Sequence, residues 1–185
     1  SICGHACGAP CEDACRRGKL DAPVTIRALK RFVNEQFGPE SLSNITLSTI
    51  LAGDMGDGST TPGHGEFLRT AKRDQAVAVV GAGPAGMACG HDLGLLGYKV
   101  TVFEAQPHPG GMLRYGIPTY GLPREVIDKQ VEEIEALGVE FRYGTPLRPG
   151  FGIEEILRLG YQAIFMAVGA SRGRQIQLEG GDADG

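Results

Sequence analysis

Residues 76–105 read AVAVVGAGPAGMACGHDLGLLGYKVTVFEA, and no other stretch of the chain restricts the fold as tightly. A run of small and β-branched residues makes a buried strand. A glycine turn follows, then a helix rich in small residues, then a second strand ending at Glu104. That order is a βαβ unit, and it forces the two strands to lie parallel. The pattern continues downstream. REVIDKQVEEIEALG places Val126, Ile127, Val131, Ile134 and Leu137 on one face of an amphipathic helix. VEFRYG reads as a strand, GIEEILRLG as a helix and YQAIFMAVGA as a buried strand closed by a Gly-Ala turn. Strands alternating with helices predict an α/β domain with a parallel sheet over residues 76–185.

The turn GAGPAG supplies Gly81, Gly83 and Gly86 in G-x-G-x-x-G spacing. The first glycine permits the tight turn, the second lets backbone approach a pyrophosphate, and the third allows helix to pack closely on strand. The helix start offers N–H groups and the positive end of the dipole to phosphates. Glu104 ends the next strand, eighteen positions after Gly86. A carboxylate there accepts ribose hydroxyls and repels a 2′-phosphate. The fingerprint by itself does not distinguish FAD from NAD.

The N-terminus poses a different problem. SICGHACGAPCEDAC holds Cys3, Cys7, Cys11 and Cys15, and the fifth cysteine, Cys89, falls inside the βαβ helix as a core thiol. Four cysteines crowded at one end do not staple a chain of 185 residues, which argues against a disulfide framework. No apolar h-region precedes them, and no run of 18 apolar residues occurs. A reducing, cytoplasmic setting is expected, where clustered thiols bind metal. By spacing alone the four thiols suit tetrahedral zinc as well as iron–sulfur. Gly4, Gly8 and Pro10 are expected to interrupt any continuous helix before Cys11. APVTIRALKRFVNEQFG is expected to form a packing helix with Ile26, Leu29, Phe32 and Val33 at helical spacing, stopped by Gly38.

Composition bounds the partners. The net charge of −4 offers no electrostatic footprint for nucleic acid or an anionic membrane. The stretch 39–75, with GDMGDGSTTPGHGE at its centre, reads as a linker holding at most one short helix or strand, and its His64 as a solvated loop residue. Three segments result: 1–38 around the cysteines, 39–75 as linker, and 76–185 as the incomplete nucleotide-binding domain.

Four blocks of the chain resemble the glutamate synthase small-chain family of FAD and iron–sulfur NAD(P)H oxidoreductases, which includes dihydropyrimidine dehydrogenase modules and subunits of anaerobic redox complexes. They are CEDACRRGKLDAPVTIRALKRFV, VAVVGAGPAGMACGHDLGLLGYKVTVFEA, GGMLRYGIPTYGLPREVIDKQVEEIEALGVEF and YQAIFMAVGA. The resemblance implies a Rossmann-like FAD-binding domain preceded by a small α-helical iron–sulfur domain. It implies FAD contacts at Gly81, Ala82, Gly83, Pro84, Ala85 and Gly86 for the pyrophosphate, and at Glu104 and Ala105 for the ribose. Gly111 and Met112 would form a closing loop, and Leu147 would meet the adenosine half. IPTYGLP departs from the family by placing Gly121 where an arginine near the flavin is usual, a charge that Arg114 or Arg124 could replace.

The resemblance also implies [4Fe–4S] ligation. Cys7 and Cys11 would serve one cluster, and Cys15 a second whose other ligands lie upstream in the family. Lys30 occupies the position of the family's Gln or Glu ligand, and an ammonium cannot ligate iron; Cys3 is therefore expected to replace it. A single cluster held by all four cysteines is the rival arrangement. The expected role is an enzyme subunit that moves electrons between nicotinamide, FAD and iron–sulfur clusters, with no residue marked as a general acid or base. Its partners would be other redox subunits of a hetero-oligomer or a ferredoxin-like acceptor. The NAD(P)H domain, and the rest of the flavin site, are expected beyond residue 185. A non-catalytic electron-transfer adapter is the alternative.

Overall fold

The structure, a computed structural model, describes residues 2–38, 72–170 and 173. The expected linker falls mostly outside them, as do His64 and the end of the chain.

The N-terminal segment is a string of short helices. Helix α1 spans Ile2–Ala6, α2 spans Pro10–Asp13, a 3-10 turn covers Arg16–Lys19, and α3 spans Ile26–Phe37. Contrary to the sequence expectation, Gly4 does not break α1. It is buried inside it, and a Cβ there would lie 2.8 Å from the Cα of Arg31. Glycine thus lets α1 press flush on α3. The break comes at Gly8–Ala9, where Ala9 takes a left-handed conformation with φ 57° before Pro10 starts α2. Such a backbone is uncommon for a residue other than glycine. Helix α3 forms as predicted, but Leu29, Phe32, Val33 and Phe37 are each half exposed among the described residues. It meets α1 through the side that carries Arg27, Lys30 and Arg31.

The second unit is the predicted α/β domain. Strands β1 (Ala76–Val80), β2 (Lys99–Phe103), β3 (Glu140–Arg142) and β4 (Ala163–Met166) form a parallel sheet in the order β3-β2-β1-β4. Helices α4 (Pro84–Leu95) and α6 (Arg124–Ala136) cover one face. Val79, Val100 and Val102 of the sheet meet Met87 and the α6 residues Val126, Ile127, Val131 and Ile134 there. The one-turn helix α5 (Met112–Tyr115) lies between α4 and α6 in sequence. Ala78, Val80 and Phe103 face the other way and are capped by Ile156 of α7 (Ile153–Arg158), with Phe103 edge-on to Phe151 and Tyr161. The alternation along β1 explains why its sequence is apolar throughout: both faces are covered. The prediction that 161–170 is a buried strand needs correction. Phe165 and Met166 are 42% and 44% exposed because β4 is the outer strand of the described sheet.

Candidate functional site

A cleft of about 680 Å³ opens at the carboxyl ends of β1, β2 and β4. This is where ligands bind in open α/β sheets, outside the strand ends and beside the first helix N-terminus. The three glycines of the turn have different structural reasons. Gly81 has φ 103°, and a Cβ on it would fall 2.4 Å from the carbonyl oxygen of Ala167. A Cβ on Gly86 would lie 1.8 Å from the carbonyl oxygen of Gly81. Both residues must be glycine for the protein to close on itself. Gly83 differs: its backbone is extended, and a Cβ would meet nothing nearer than the Cα of Gly111 at 3.9 Å. The space in front of Gly83 is the cleft.

Glu104 is one of two buried polar side chains among the described residues, at 7% exposure. Its Oε2 accepts the Ala82 N–H at 2.6 Å and its Oε1 accepts the Gln106 N–H at 2.8 Å. The carboxylate therefore ties the glycine turn to the end of β2. Each oxygen retains a second lone pair for a hydroxyl in the cleft.

Of the residues expected at the nucleotide, Gly81, Gly83, Pro84, Ala85, Glu104, Ala105, Gly111, Met112 and Leu147 line the cleft. Ala82 and Gly86 do not; Ala82 is fully buried in the core and Gly86 is packed against Gly81. Gly111, with φ 50°, crosses so close over the turn that a Cβ on it would lie 2.9 Å from the Gly83 Cα. Sequence reasoning missed Gln106, Tyr115, Thr145 and the turn Ala167–Ala170, which also line the cleft. The signal was available: these residues follow the ends of parallel strands or stand on the closing loop. Neither arginine offered as a substitute at Gly121 reaches the cleft. Arg114 donates to the Pro109 carbonyl and pairs with Asp128, and Arg124 donates to the carbonyls of Leu113 and Ile117.

The cysteine segment is open. Cys3 and Cys11 are exposed, Cys7 and Cys15 are half-buried, and all four are free thiols. Backbone N–H groups already point at two of the sulfurs. Cys7 Sγ accepts the Ala9 N–H at 3.4 Å, which the left-handed turn at Ala9 makes possible. Backbone hydrogen bonds from Val24, Arg17 and Gly18 hold the Cys15 thiol below its ordinary pKa. Such donors stabilise negative charge on sulfur, as thiolate ligands of iron require. Lys30 Nζ lies 3.8 Å from Cys3 Sγ, so Lys30 and Cys3 do come together. Among the described residues no three His, Cys, Asp or Glu side chains are gathered as a group able to hold one metal ion. The donor set suits a cluster in its chemistry, four soft thiols with N–H support; the described arrangement does not draw three of them to one point.

Comparison with known proteins agrees with the Rossmann-like reading of the α/β unit. Residues 79–129 match the NAD(P)-binding Rossmann-like domain family. The chain is 37% identical over 184 residues to the beta subunit of the NADP(+)-dependent formate dehydrogenase of Moorella thermoacetica, a match covering 98% of this chain and 26% of that protein. It is 35% identical over 184 residues to the beta subunit of the NADPH-Fe(3+) oxidoreductase of Geobacter sulfurreducens, covering 98% and 24% respectively. It is 32% identical over 186 residues to the small chain of the NADPH glutamate synthase of Escherichia coli, covering 100% and 35%. The chain thus spans between about a quarter and a third of the length of these relatives.

Proposed function

This chain is homologous, over nearly its whole length, to the glutamate synthase small chain and related NAD(P)H-linked oxidoreductase subunits, and on that premise we propose that it is the flavin and iron–sulfur portion of such an enzyme. The observation that carries the reading is Gly83. The packing of the protein explains Gly81 and Gly86, but leaves room for a side chain at Gly83. A glycine kept where a side chain would fill the cleft is what close approach of backbone to a pyrophosphate requires.

Bound FAD would supply the conversion between a two-electron hydride and single electrons, and [4Fe–4S] clusters on Cys3, Cys7, Cys11 and Cys15 would carry those electrons singly. The chain's own part is positional. The start of α4, at Gly83–Ala85, would face the pyrophosphate with its positive dipole end. Glu104 would hold the ribose hydroxyls while its other lone pairs fix the turn, and it would exclude a 2′-phosphate by charge. Leu147 would meet the adenosine half. In the cysteine segment, the N–H groups around Cys15 would favour the thiolate form. Electron exchange with other redox subunits completes the proposal, with the nicotinamide held on a domain outside this chain.

The test is chemical identification. Acid denaturation of the purified full-length protein should release FAD in stoichiometric amount, together with iron and sulfide. Recovery of FMN or NADP alone would contradict the cleft assignment, and protein that carries flavin but no iron would contradict the cysteine assignment.

A further inference from the structure

Residues 109–117 form a strap along one wall of the cleft, with Gly111, Met112 and Tyr115 facing it. The strap is not part of the sheet. Leu113 and Ile117 pack against the core from its underside, while Met112 and Tyr115 are about half exposed. Main-chain bonding does much of the fastening. The Gly110 N–H donates to the Ala82 carbonyl at 2.7 Å, which lays the strap across the glycine turn.

Two guanidinium groups hold the rest. Arg124, at the start of α6, donates through Nη1 to the Leu113 carbonyl at 3.0 Å and through Nη2 to the Ile117 carbonyl at 2.8 Å. Arg114, on the strap, donates through Nε to the Pro109 carbonyl at 2.6 Å, and its guanidinium pairs with the Asp128 carboxylate of α6. The Arg114 side chain is 11% exposed, while its Asp128 partner is half exposed, so the pair is shielded from water on the arginine side only. Three carbonyls spread along the strap thus take donors from arginines, and both sets of bonds lead to the first two turns of α6. Near its start the strap has Gly110 at φ 116° and Gly111 at φ 50°, backbone conformations that favour glycine and turn the chain over the glycine turn.

We infer that Arg124, with the Arg114–Asp128 pair, is a positioning group that latches the strap over the cleft and sets how slowly the bound dinucleotide leaves; this rests on the flavin reading of the cleft. The fork of Arg124 is suited to the task because two nitrogens reach two carbonyls at once. A lysine carries its three donors on one nitrogen and lacks the planar fork whose two nitrogens span the Leu113 and Ile117 carbonyls, so it should replace those bonds only in part.

The full-length protein, isolated with its flavin, gives the test. Release is followed by the rise in free-flavin fluorescence after dilution, and the bound state by visible circular dichroism of the flavin. Hydrogen bonds from charged donors are strong enough that losing both should speed release of flavin from Arg124→Met by roughly tenfold or more. Arg124→Lys should fall between wild type and Arg124→Met. Asp128→Asn, altered at a half-exposed side chain, should speed release by a few-fold and shift the visible dichroism in the same direction. Unchanged release and dichroism in Asp128→Asn and in either Arg124 variant would overturn the inference. So would faster release that Arg124→Lys does not moderate. Should Arg124→Met fail to fold, Asp128→Asn and Arg124→Lys decide alone. Wild-type protein without dinucleotide in the cleft would overturn the flavin reading itself, a result separable from any variant's rate.

Discussion

Within residues 2–38, Gly4, Ala9 and Gly38 are the buried residues, whereas β1 alone buries Val77, Ala78, Val79 and Val80. The two regions solve the folding problem by different means. The α/β unit removes apolar side chains from water on both faces of its sheet, and Val79, Val102, Phe103, Ile127 and Ile156, each at 2% exposure or less, form its frame. The cysteine segment has no comparable core among the described residues. It is held by the Gly4–Arg31 approach, the Arg27 side chain on the Cys7 carbonyl and the Glu12 carboxylate on the Arg27 N–H. If it binds metal as proposed, a segment of that size would draw folding stability from the metal. On the proposed metal binding, ligand dependence would be concentrated in the cysteine segment, and the frame in the α/β unit.

The comparison is broken most severely by attacking the frame. Gly86→Ala puts a methyl group 1.8 Å from the Gly81 carbonyl, and the expected cost is above about 3 kcal/mol, read as a large fall in Tm or loss of soluble protein. Ile127→Ala, at a fully buried position, should cost about 2–5 kcal/mol by the same measurement. Neither should remove the iron from protein that still folds.

The opposite cut falls on the thiols. Cys3→Ser and Cys15→Ser should each lower iron and sulfide content while the flavin and the main melting transition stay within about 0.5 kcal/mol of wild type. Low-temperature EPR sharpens this. Separate signals lost in the two variants favour two clusters, and the same signal lost in both favours a single four-cysteine cluster. Signals unchanged in Cys3→Ser would remove Cys3 from the ligand set.

The smallest expected effect lies on the outward face of α3. Phe32 is 59% exposed, and Phe32→Ser should change the Tm by no more than about 0.5 kcal/mol in equivalent stability. A larger loss would mean that this face is covered in the folded protein, and that the cysteine region has a core after all.

The frame was largely legible in the sequence because its signals are local. Period and turn residues identified β1, α4, β2 and α6, and of the expected face Val126, Ile127, Val131 and Ile134 are buried, while Leu137 falls past the end of the helix and is only partly buried. What failed was anything that depends on neighbours. β4 has the composition of a buried strand, yet Phe165 and Met166 stand half exposed at the edge of the described sheet. Gly4 looked like a helix breaker, but its missing Cβ serves a helix contact with Arg31, twenty-seven positions away. The glycine fingerprint marked the cleft and divided its glycines, Gly81 to the turn, Gly86 to helix packing and Gly83 to a ligand; the close contacts at Gly81 and Gly86 and the open space at Gly83 follow the same division. Arg114 and Arg124 were considered as charges near the cofactor; their carbonyl partners on the strap are set by tertiary geometry, which spacing does not encode.

That division among the three glycines gives the most direct measurement. Gly83→Val should yield protein that melts cooperatively, loses no more than about 1 kcal/mol at this helix-start position, keeps its iron and carries no flavin absorbance. Full retention of flavin in folded Gly83→Val would contradict the placement of a dinucleotide in this cleft.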